Sequence, residues 1–271
     1  MLKSIAATLF HISMVFLLTI LTQIGGLLWF VLFLFFKFKK PHYTKARKIT
    51  IFGCCYLLAT LLIIPLVAPL FGRVPLPILK SNLLRPHSYM TCLANRHYVT
   101  KTLKAELEVL AKDIHQDQAE LKLSYLDACF PFIDGFPLLP HLSHNDGRKI
   151  DLAFYYTKDG KRGNLKPAHS GYGVYEGPRK NERNQTQICK GQNYWQYDFS
   201  KFLTFGSRTD LEFDPIQTRE LINSIAKRKL THKILLEPHL KSRLKLGSDK
   251  IRFQGCHSVR HDDHVHYQVY N

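Results

Sequence analysis

Histidines and one aspartate form two dense clusters that lie more than 100 residues apart in the 271-residue chain. The members are His141, His144 and Asp151 in the first cluster, and His261, His264 and His266 in the second. Imidazole and carboxylate are the ligands that zinc takes when no thiolate is offered, and a catalytic zinc site uses three protein ligands plus a water molecule. The two clusters are therefore candidates for the two halves of one zinc site.

The spacing within the clusters suits strands that line a common cavity. Alternate residues of a strand point to the same side, so His264 and His266 share one face while Val265 can pack into a core. Residues 150–156 form a second candidate strand, on which Asp151 points away from the apolar face. A lone His-x-His is often only a surface pair, but two complementary clusters favour a metal site.

The clusters together resemble those of the penicillin-insensitive murein endopeptidases, within the wider group of lysostaphin-type, D-Ala-D-Ala and hedgehog-like metallopeptidases. The motifs are Ser143-His144-Asn-Asp-Gly147-Arg-Lys-Ile-Asp151 and His261-x-x-His264-x-His266, and the resemblance covers about residues 120–271. The endopeptidases also carry a histidine at the position of His141. His261 points to the endopeptidase branch, because the D-Ala-D-Ala carboxypeptidases usually have a glutamate there.

The resemblance implies a zinc-dependent hydrolase of peptide bonds. His144, Asp151 and His266 would hold Zn²⁺, and a water molecule would take the fourth position, where its pKa falls to about 7. His261 would be the general base, and His264 would stabilise the oxyanion that develops on the attacked carbonyl. The residues expected to contact substrate or to support the ligands through hydrogen bonds are His141, Asp262 and Asp263.

The substrate that the resemblance implies is the peptide part of peptidoglycan, with a crosslink as the expected point of cleavage. One alternative is a non-catalytic zinc protein that binds cell wall or a partner protein, although such a site has no need of His261 and His264. The other is a metal-dependent nuclease, but the exported location derived below argues against a nucleic-acid partner. The oligomeric state and the bond that is cut stay open.

Two apolar runs, residues 4–36 and 49–72, contain no Asp, Glu, Lys or Arg. Each run exceeds the roughly 20 residues that cross a bilayer, and the first is far longer than the ~7–15 apolar residues of a signal peptide. We therefore expect two transmembrane helices within residues 1–73, with a kink or tilt at Gly25-Gly26 in the first. The familiar murein endopeptidases lack such an anchor, since they are soluble periplasmic proteins.

A basic loop separates the two runs and predicts their orientation. Its cations are Lys37, Lys39, Lys40, Lys45, Arg47 and Lys48, with no acid among residues 37–48. The positive-inside rule puts this loop in the cytoplasm. With two spans, the N-terminus and residues 73–271 lie on the far side, which predicts a protein of the cytoplasmic membrane with a periplasmic domain.

The net charge of +17 is too large to come from the basic loop alone, so the exported domain is basic as well. Such a charge attracts anionic polymers, among which nucleic acid, anionic lipid and carboxylate-rich peptidoglycan are all eligible. Four cysteines in the exported part suggest disulfides in an oxidising compartment, with three possible pairings. They are Cys92, Cys129, Cys189 and Cys256.

Helical and strand patterns alternate in the exported part without a regular βαβ rhythm, which predicts an α+β fold with a small antiparallel sheet and flanking helices. Helices are expected at residues 100–115 and 214–227, strands at 121–125, 150–156, 233–236 and 265–270, and a long irregular insertion at 157–200. The expected division is a membrane anchor at 1–73, a linker with an amphipathic helix at 74–118, and a metallopeptidase domain at 119–271.

Overall fold

The computed structural model describes residues 2–39 and 42–270, so that Lys40 of the basic loop lies outside the described residues. The α-helices are α1 (Leu2–Thr22), α2 (Gly25–Lys39), α3 (Lys45–Leu58), α4 (Ile64–Val67), α5 (Tyr89–Leu93), α6 (Lys101–Asp117), α7 (Gln185–Gly191), α8 (Pro215–Lys227) and α9 (Pro238–Arg243). A π-helical turn, Ala59–Ile63, joins α3 to α4, and 3₁₀ helices follow at Ala68–Phe71 and Trp195–Leu203.

The strands are short and are divided among three sheets. They are β1 (Val74–Pro75), β2 (Leu84–Pro86), β3 (Tyr98–Val99), β4 (Leu123–Tyr125), β5 (Lys149–Ala153), β6 (Tyr156–Lys158), β7 (Lys161–Gly163), β8 (Glu212–Phe213), β9 (Thr231–Leu235), β10 (Ile251–Arg252) and β11 (His264–Val269). The predicted α+β class is therefore confirmed.

The main sheet has six strands in the order β10-β9-β11-β5-β4-β2. The central strand β11 runs antiparallel to both β5 and β9. The outer pairs β10–β9 and β2–β4 are parallel. The prediction of a small antiparallel sheet is thus wrong in size and in the outer pairings, because β2 and β10 are too short to show an alternating pattern in the sequence.

Alternation along β11 separates a core face from a polar face. Val265, Tyr267 and Val269 are fully buried in the main hydrophobic core, whereas the intervening residues point to the other side of the sheet. The amphipathic helices α6 and α8 bury their apolar stripes in the same core. Each fully buried Leu or Ile side chain of this kind contributes about 1.5–3 kcal/mol.

Residues 74–118 belong to this core. Leu76 and Leu84 lie in it together with Leu103 and Leu107 of α6, and β2 forms one edge of the main sheet. Thr100 caps α6 by accepting a hydrogen bond from the Leu103 backbone N–H at 3.3 Å. The helix predicted at 100–115 is therefore confirmed, whereas the segment before it packs into the domain and does not extend as a linker.

The other predicted elements are present with shifted bounds. Helix 214–227 is α8, and the strands expected at 121–125, 233–236 and 265–270 are β4, β9 and β11. Strand 150–156 divides into β5 and β6. The insertion at 157–200 is less irregular than expected, since β6 and β7 form a hairpin whose turn residues Asp159 and Gly160 have φ of 52° and 71°. Positive φ at both central residues is the signature of a tight hairpin turn.

The first apolar run folds as two antiparallel helices. Helix α1 ends at Thr22 and α2 begins at Gly25. A Cβ atom on Gly26 would overlap Oγ1 of Thr19, so only glycine lets the two helices approach this closely. The kink expected at Gly25-Gly26 is therefore a reversal of the chain.

This hairpin changes the expected arrangement of the anchor. Within the described residues, two helices are long and apolar enough to cross a membrane, Ile5–Thr22 and Lys45–Phe71. The beginning of α1 lies at the same end of the bundle as the basic loop, since Ala7 and Lys48 line one groove. The expectation that the N-terminal end lies opposite the loop is therefore wrong, because the first run is not a single span.

One disulfide joins Cys189 of α7 to Cys256, which follows β10. Cys92 and Cys129 are buried free thiols, so the prediction of disulfides is confirmed for one pair only. The bond ties the 157–200 insertion to the loop that leads into the second histidine cluster.

Replacing both bonded cysteines by serine should destabilise the domain formed by residues 74–270 by about 2–4 kcal/mol, because the bond closes a loop of 67 residues. Chemical unfolding of the full chain in detergent, followed by tryptophan fluorescence and circular dichroism, measures the change. Cys54→Ser, which removes an exposed thiol, is the control and should unfold as the wild type does. Equal stability of all three proteins would contradict the expectation.

Candidate metal centre

The pairing of β5 with β11 brings the two clusters together. Their register sets His266 opposite Asp151 and His264 opposite Ala153, and residues paired in this way on one face have Cβ atoms ~4.5–5.5 Å apart. His144 comes from the turn that precedes β5. Gly147 in this turn has a φ of 71°, and a side chain there would strike the guanidinium of Arg73, so the turn requires glycine.

Three side chains present one ligand atom each to a common point. His144 Nε2 lies 3.2 Å from Asp151 Oδ1, His266 Nδ1 lies 3.0 Å from the same oxygen, and the two nitrogens are 3.0 Å apart. Ligands held 2.0–2.1 Å from a tetrahedral ion lie roughly 3.3 Å from one another. The three residues predicted as metal ligands are thus grouped as a metal ion requires, and all are buried.

Hydrogen bonds set the direction of these rings. His144 Nδ1 lies 2.9 Å from the carbonyl oxygen of Ala128, and donation to this carbonyl leaves Nε2 as the free ligand atom. Support of this kind is typical of metal-binding histidines. The Nε2 atoms of His141, His264 and His266 are buried without a hydrogen-bond partner in the described parts of the chain. So many unpaired nitrogens around one carboxylate fit a site that binds a cation.

His141, Asp151 and His264 form a second group that could hold a metal ion. His141 Nδ1 lies 2.9 Å from Asp151 Oδ2, and His264 Nε2 lies 3.5 Å from Oδ1. Oδ2, however, also accepts a hydrogen bond from the hydroxyl of Tyr172 at 2.9 Å. Because Oδ2 is occupied by these partners, Oδ1 is the free ligand atom, which favours the group containing His144 and His266.

Tyr172 is a site residue that sequence reasoning missed. Its ring packs against His141 and His264, with centroids 4.6 and 5.1 Å away, and its hydroxyl accepts a hydrogen bond from the Asp127 backbone N–H at 3.0 Å. It lies in the 157–200 insertion, far in sequence from both clusters. No spacing pattern connects it with them, so no signal in the sequence could have found it.

Buried charges divide the histidines into two protonation classes. Burial acts to raise the pKa of Asp151, but attraction from the imidazoles of His144, His264 and His141 holds it well below its ordinary value. Burial lowers the pKa of His266 to about 3 and holds that of His261 well below its ordinary value. These two rings are therefore neutral at pH 7, which is the form that binds a metal ion or accepts a proton.

His264 has the opposite tendency. Burial alone would lower its pKa, but the charges of Asp151 and Asp263 raise it above the ordinary value. Asp263 forms a close pair with His264 Nδ1 and accepts a hydrogen bond from the Gly173 backbone N–H at 2.6 Å. Asp263 is thus placed as the sequence analysis expected, next to a ring of the site.

Asp262, unlike Asp263, does not pair with a histidine of the two clusters. It forms an ion pair with Arg260 and lies 3.5 Å from Nε2 of His239, which is outside both clusters. Arg260 in turn lies over the ring of Tyr175, 3.8 Å from its centroid. Asp262 therefore anchors the loop before β11 and does not contact the predicted ligands.

Glu237 fixes the backbone at His261. Its Oε1 accepts a hydrogen bond from the His261 backbone N–H at 3.1 Å, and its Oε2 accepts one from the Tyr197 hydroxyl at 2.5 Å. The His261 ring lies with its centroid 5.1 Å from that of His264 and 5.6 Å from that of His266. Burial, with repulsion from Asp262, raises the pKa of Glu237 to about 7.

The centre is closed. We call residues 164–206 the covering segment, because Tyr172 packs on the histidines and Lys166 Nζ donates to the backbone carbonyl of Asp263. The Glu176 backbone N–H donates to the carbonyl of Asp262 at 2.7 Å. Even His261 is only 4% exposed. The covering segment thus shields the candidate metal site from solvent.

No protein-family model matches the chain, and no curated protein is similar enough in sequence to match it.

Removing one ligand should remove the metal ion. We expect His266→Ala to lower the affinity for Zn²⁺ by at least about 100-fold, since loss of a supporting partner alone costs ~10–100-fold. Metal content after dialysis and a competition titration measure the effect. The control is His232→Ala, on the neighbouring strand β9, whose ring packs on Tyr270. Wild-type affinity in His266→Ala would rule out this ligand group.

Glu237→Gln should change how stability depends on pH. In the wild type the folded state holds this proton up to pH about 7, whereas the ordinary pKa is 4.5. The folded state thus binds more protons between these values, and the contribution of Glu237 to stability falls as pH rises through them. We therefore compare the unfolding free energy of the wild type with that of Glu237→Gln at each pH. The wild-type value minus the variant value should be about 2 kcal/mol smaller at pH 7.5 than at pH 5.

Unfolding in denaturant at the two pH values gives this difference. The matched control is Glu120→Gln, at an exposed position, which should show no such change. A difference between wild type and Glu237→Gln that is the same at both pH values would contradict the expected burial of a protonated carboxyl.

Proposed function

We propose that this chain is a membrane-anchored zinc peptidase that hydrolyses peptide bonds of peptidoglycan, with crosslinks as the point of cleavage. The observation that carries the proposal is the placement of five side chains. His144, Asp151 and His266 converge on one point, and the rings of His261 and His264 lie beside them. A structural zinc site takes four protein ligands, so three ligands with two further imidazoles beside them fit a catalytic site.

Zinc bound at this group would supply a water molecule whose pKa is about 7. Burial keeps the imidazole of His261 in its neutral form, and only this form can accept a proton from such a water. His264, held by Asp263, favours the protonated form. A cationic ring next to the reaction centre stabilises the negative charge that develops on an attacked carbonyl.

Two imidazoles and a carboxylate support zinc as the ion. This donor set contains no thiolate, since neither candidate metal group includes a cysteine. Zinc accepts nitrogen and oxygen ligands in a tetrahedron, which the short ligand-to-ligand distances fit. Because two histidines and one carboxylate also bind Fe²⁺, metal analysis of the protein as purified is part of the test.

The surface beside the metal position is basic, which supports an anionic substrate. Lys149 and Gln268 lie two residues along their strands from Asp151 and His266, and so on the same face of the sheet. Gln268 pairs with Lys149 on one side and with Lys233 on the other. We call these three residues the basic row. Burial, with repulsion from Lys149 and Arg252, lowers the pKa of Lys233. Lys149 forms an ion pair with Asp146 at 2.6 Å, so Lys233 is the cation of this row that suits the free carboxylates of peptidoglycan peptides.

The anchor supports placement of the domain outside the cytoplasm. The basic loop at residues 37–48 favours the cytoplasmic side of the inner membrane. The Gln23 side chain at the opposite end of the hairpin accepts a hydrogen bond from the Phe132 backbone N–H at 3.0 Å. The domain therefore packs on the end of the anchor that is far from the basic loop, which is the periplasmic end in this orientation.

A non-catalytic zinc module is the second candidate, and the closed state of the centre favours it. His144 and Asp151 have no exposed surface, and a metal ion that substrate cannot reach has a structural role. The two candidates differ in whether metal-loaded protein turns over substrate, so one digestion experiment separates them.

Peptidoglycan sacculi incubated with the full-length protein in detergent should release peptides that mass spectrometry identifies as cut crosslinks. Chelation should stop the release and Zn²⁺ should restore it. His261→Ala should retain the metal but lose activity by about 10²–10⁴-fold, whereas the control His232→Ala should match the wild type. If zinc-loaded wild-type protein releases no peptides, the peptidase proposal is wrong and the non-catalytic zinc module is supported. Nicking of plasmid DNA by the same protein would indicate a nuclease.

Lys233→Gln should weaken substrate binding without slowing chemistry. We expect KM to rise by about three- to tenfold and kcat to stay within about twofold, because the lost attraction acts equally on substrate and transition state. Lys229→Gln, which removes an exposed lysine outside this row, is the matched control. The role of the basic row is excluded if the two variants show the same KM.

A further inference from the structure

A groove of about 660 Å³ lies between α1, α2 and α3, at the end of the bundle that carries the basic loop. This volume is within the ~300–1,000 Å³ of typical small-molecule sites. Its walls are mainly apolar, with Phe10 from α1, Trp29 and Phe33 from α2, and Phe52 from α3. The site is separate from the metal centre and does not depend on the proposed peptidase activity.

Three lysines line the same groove: Lys37, Lys45 and Lys48. The Nζ atom of Lys48 lies 5.4 Å from the ring centroid of Phe36, and that of Lys37 lies 6.0 Å from the centroid of Phe33. The ammonium groups are thus held over the aromatic wall. The groove therefore combines an apolar channel with a cationic mouth.

No acidic side chain of the anchor neutralises these cations. The first Asp or Glu of the whole sequence is Glu106, and the three lysines form no salt bridge with any part of the chain that the structure describes. Like charges that share a low-dielectric groove repel one another unless an anion lies among them. The three lysines therefore need an anion that comes from outside the anchor.

The Trp29 side chain lines the groove and contacts residues of the two neighbouring helices. Its Nε1–H donates to Nδ1 of His11 at 3.2 Å, and its ring packs edge-on against Phe52 with centroids 5.2 Å apart. These contacts link all three helices through one side chain. The apolar wall is therefore fixed by the anchor and is not an accidental gap between loose helices.

We propose that this groove binds one anionic phospholipid, with its phosphate among Lys37, Lys45 and Lys48 and an acyl chain along the aromatic wall. Basic pockets between transmembrane helices recognise acidic head groups in this way. A zwitterionic lipid fits less well, because its own ammonium group would meet the three lysines. The ligand class is thus a lipid whose head group carries a phosphate without a compensating cation.

The test uses the full chain, purified in non-ionic detergent and depleted of lipid. Phosphatidylglycerol or phosphatidylcholine is added, and native mass spectrometry counts bound lipid while a thermal scan records the unfolding midpoint. We expect one tightly bound phosphatidylglycerol and at least about a tenfold preference over phosphatidylcholine. The triple variant K37Q/K45Q/K48Q should lose this preference.

The matched control is K112Q/K227Q/K229Q, which removes the same charge from exposed positions of the domain and should bind lipid as the wild type does. The wild-type comparison of the two lipids needs no variant, so it decides the matter even if the triple variant fails to fold. Equal binding of both lipids by the wild type would overturn the proposal. An equal loss of preference in both triple variants would do so too, because it would indicate attraction by net charge alone.

Discussion

The register between β5 and β11 is the constraint on which the metal centre depends. Side chains alternate across a strand, so a slip of β11 by one residue would turn His266 into the core and bring Tyr267 to the face that carries Asp151. The core prevents this slip, since Val265, Tyr267 and Val269 are buried against α6 and α8. Hydrophobic packing on one side of the sheet thereby sets the ligand geometry on the other.

Much of this arrangement could be predicted from local patterns. The alternation of Val265, Tyr267 and Val269 with His264 and His266 indicates both the strand and the face that carries the ligands. The amphipathic spacing of α6 and the Asp-Pro start of α8 are equally local signals. Each of these correct predictions depends on residues only two to four positions apart in the sequence.

The features that sequence reasoning missed depend on distant contacts. Tyr172 reaches Asp151 through a segment with no periodic pattern, and β2 and β10 join the sheet at its edges although each is too short to show alternation. The hairpin of α1 and α2 was missed for another reason. No charged residue lies between position 4 and position 36, so no charge marks the turn at Gln23, which is set by the close approach of Gly26 to Thr19.

The central position of β11 has a consequence for folding in the cell. Its partners β5 and β9 come earlier in the chain, and β11 lies between them. Until residues 264–269 have been synthesised and folded, both partners present unpaired edges, which readily join strands of other molecules. Any shortened product that stops before His264 therefore loses His264 and the candidate ligand His266, and at the same time carries a pair of open edges that favour aggregation.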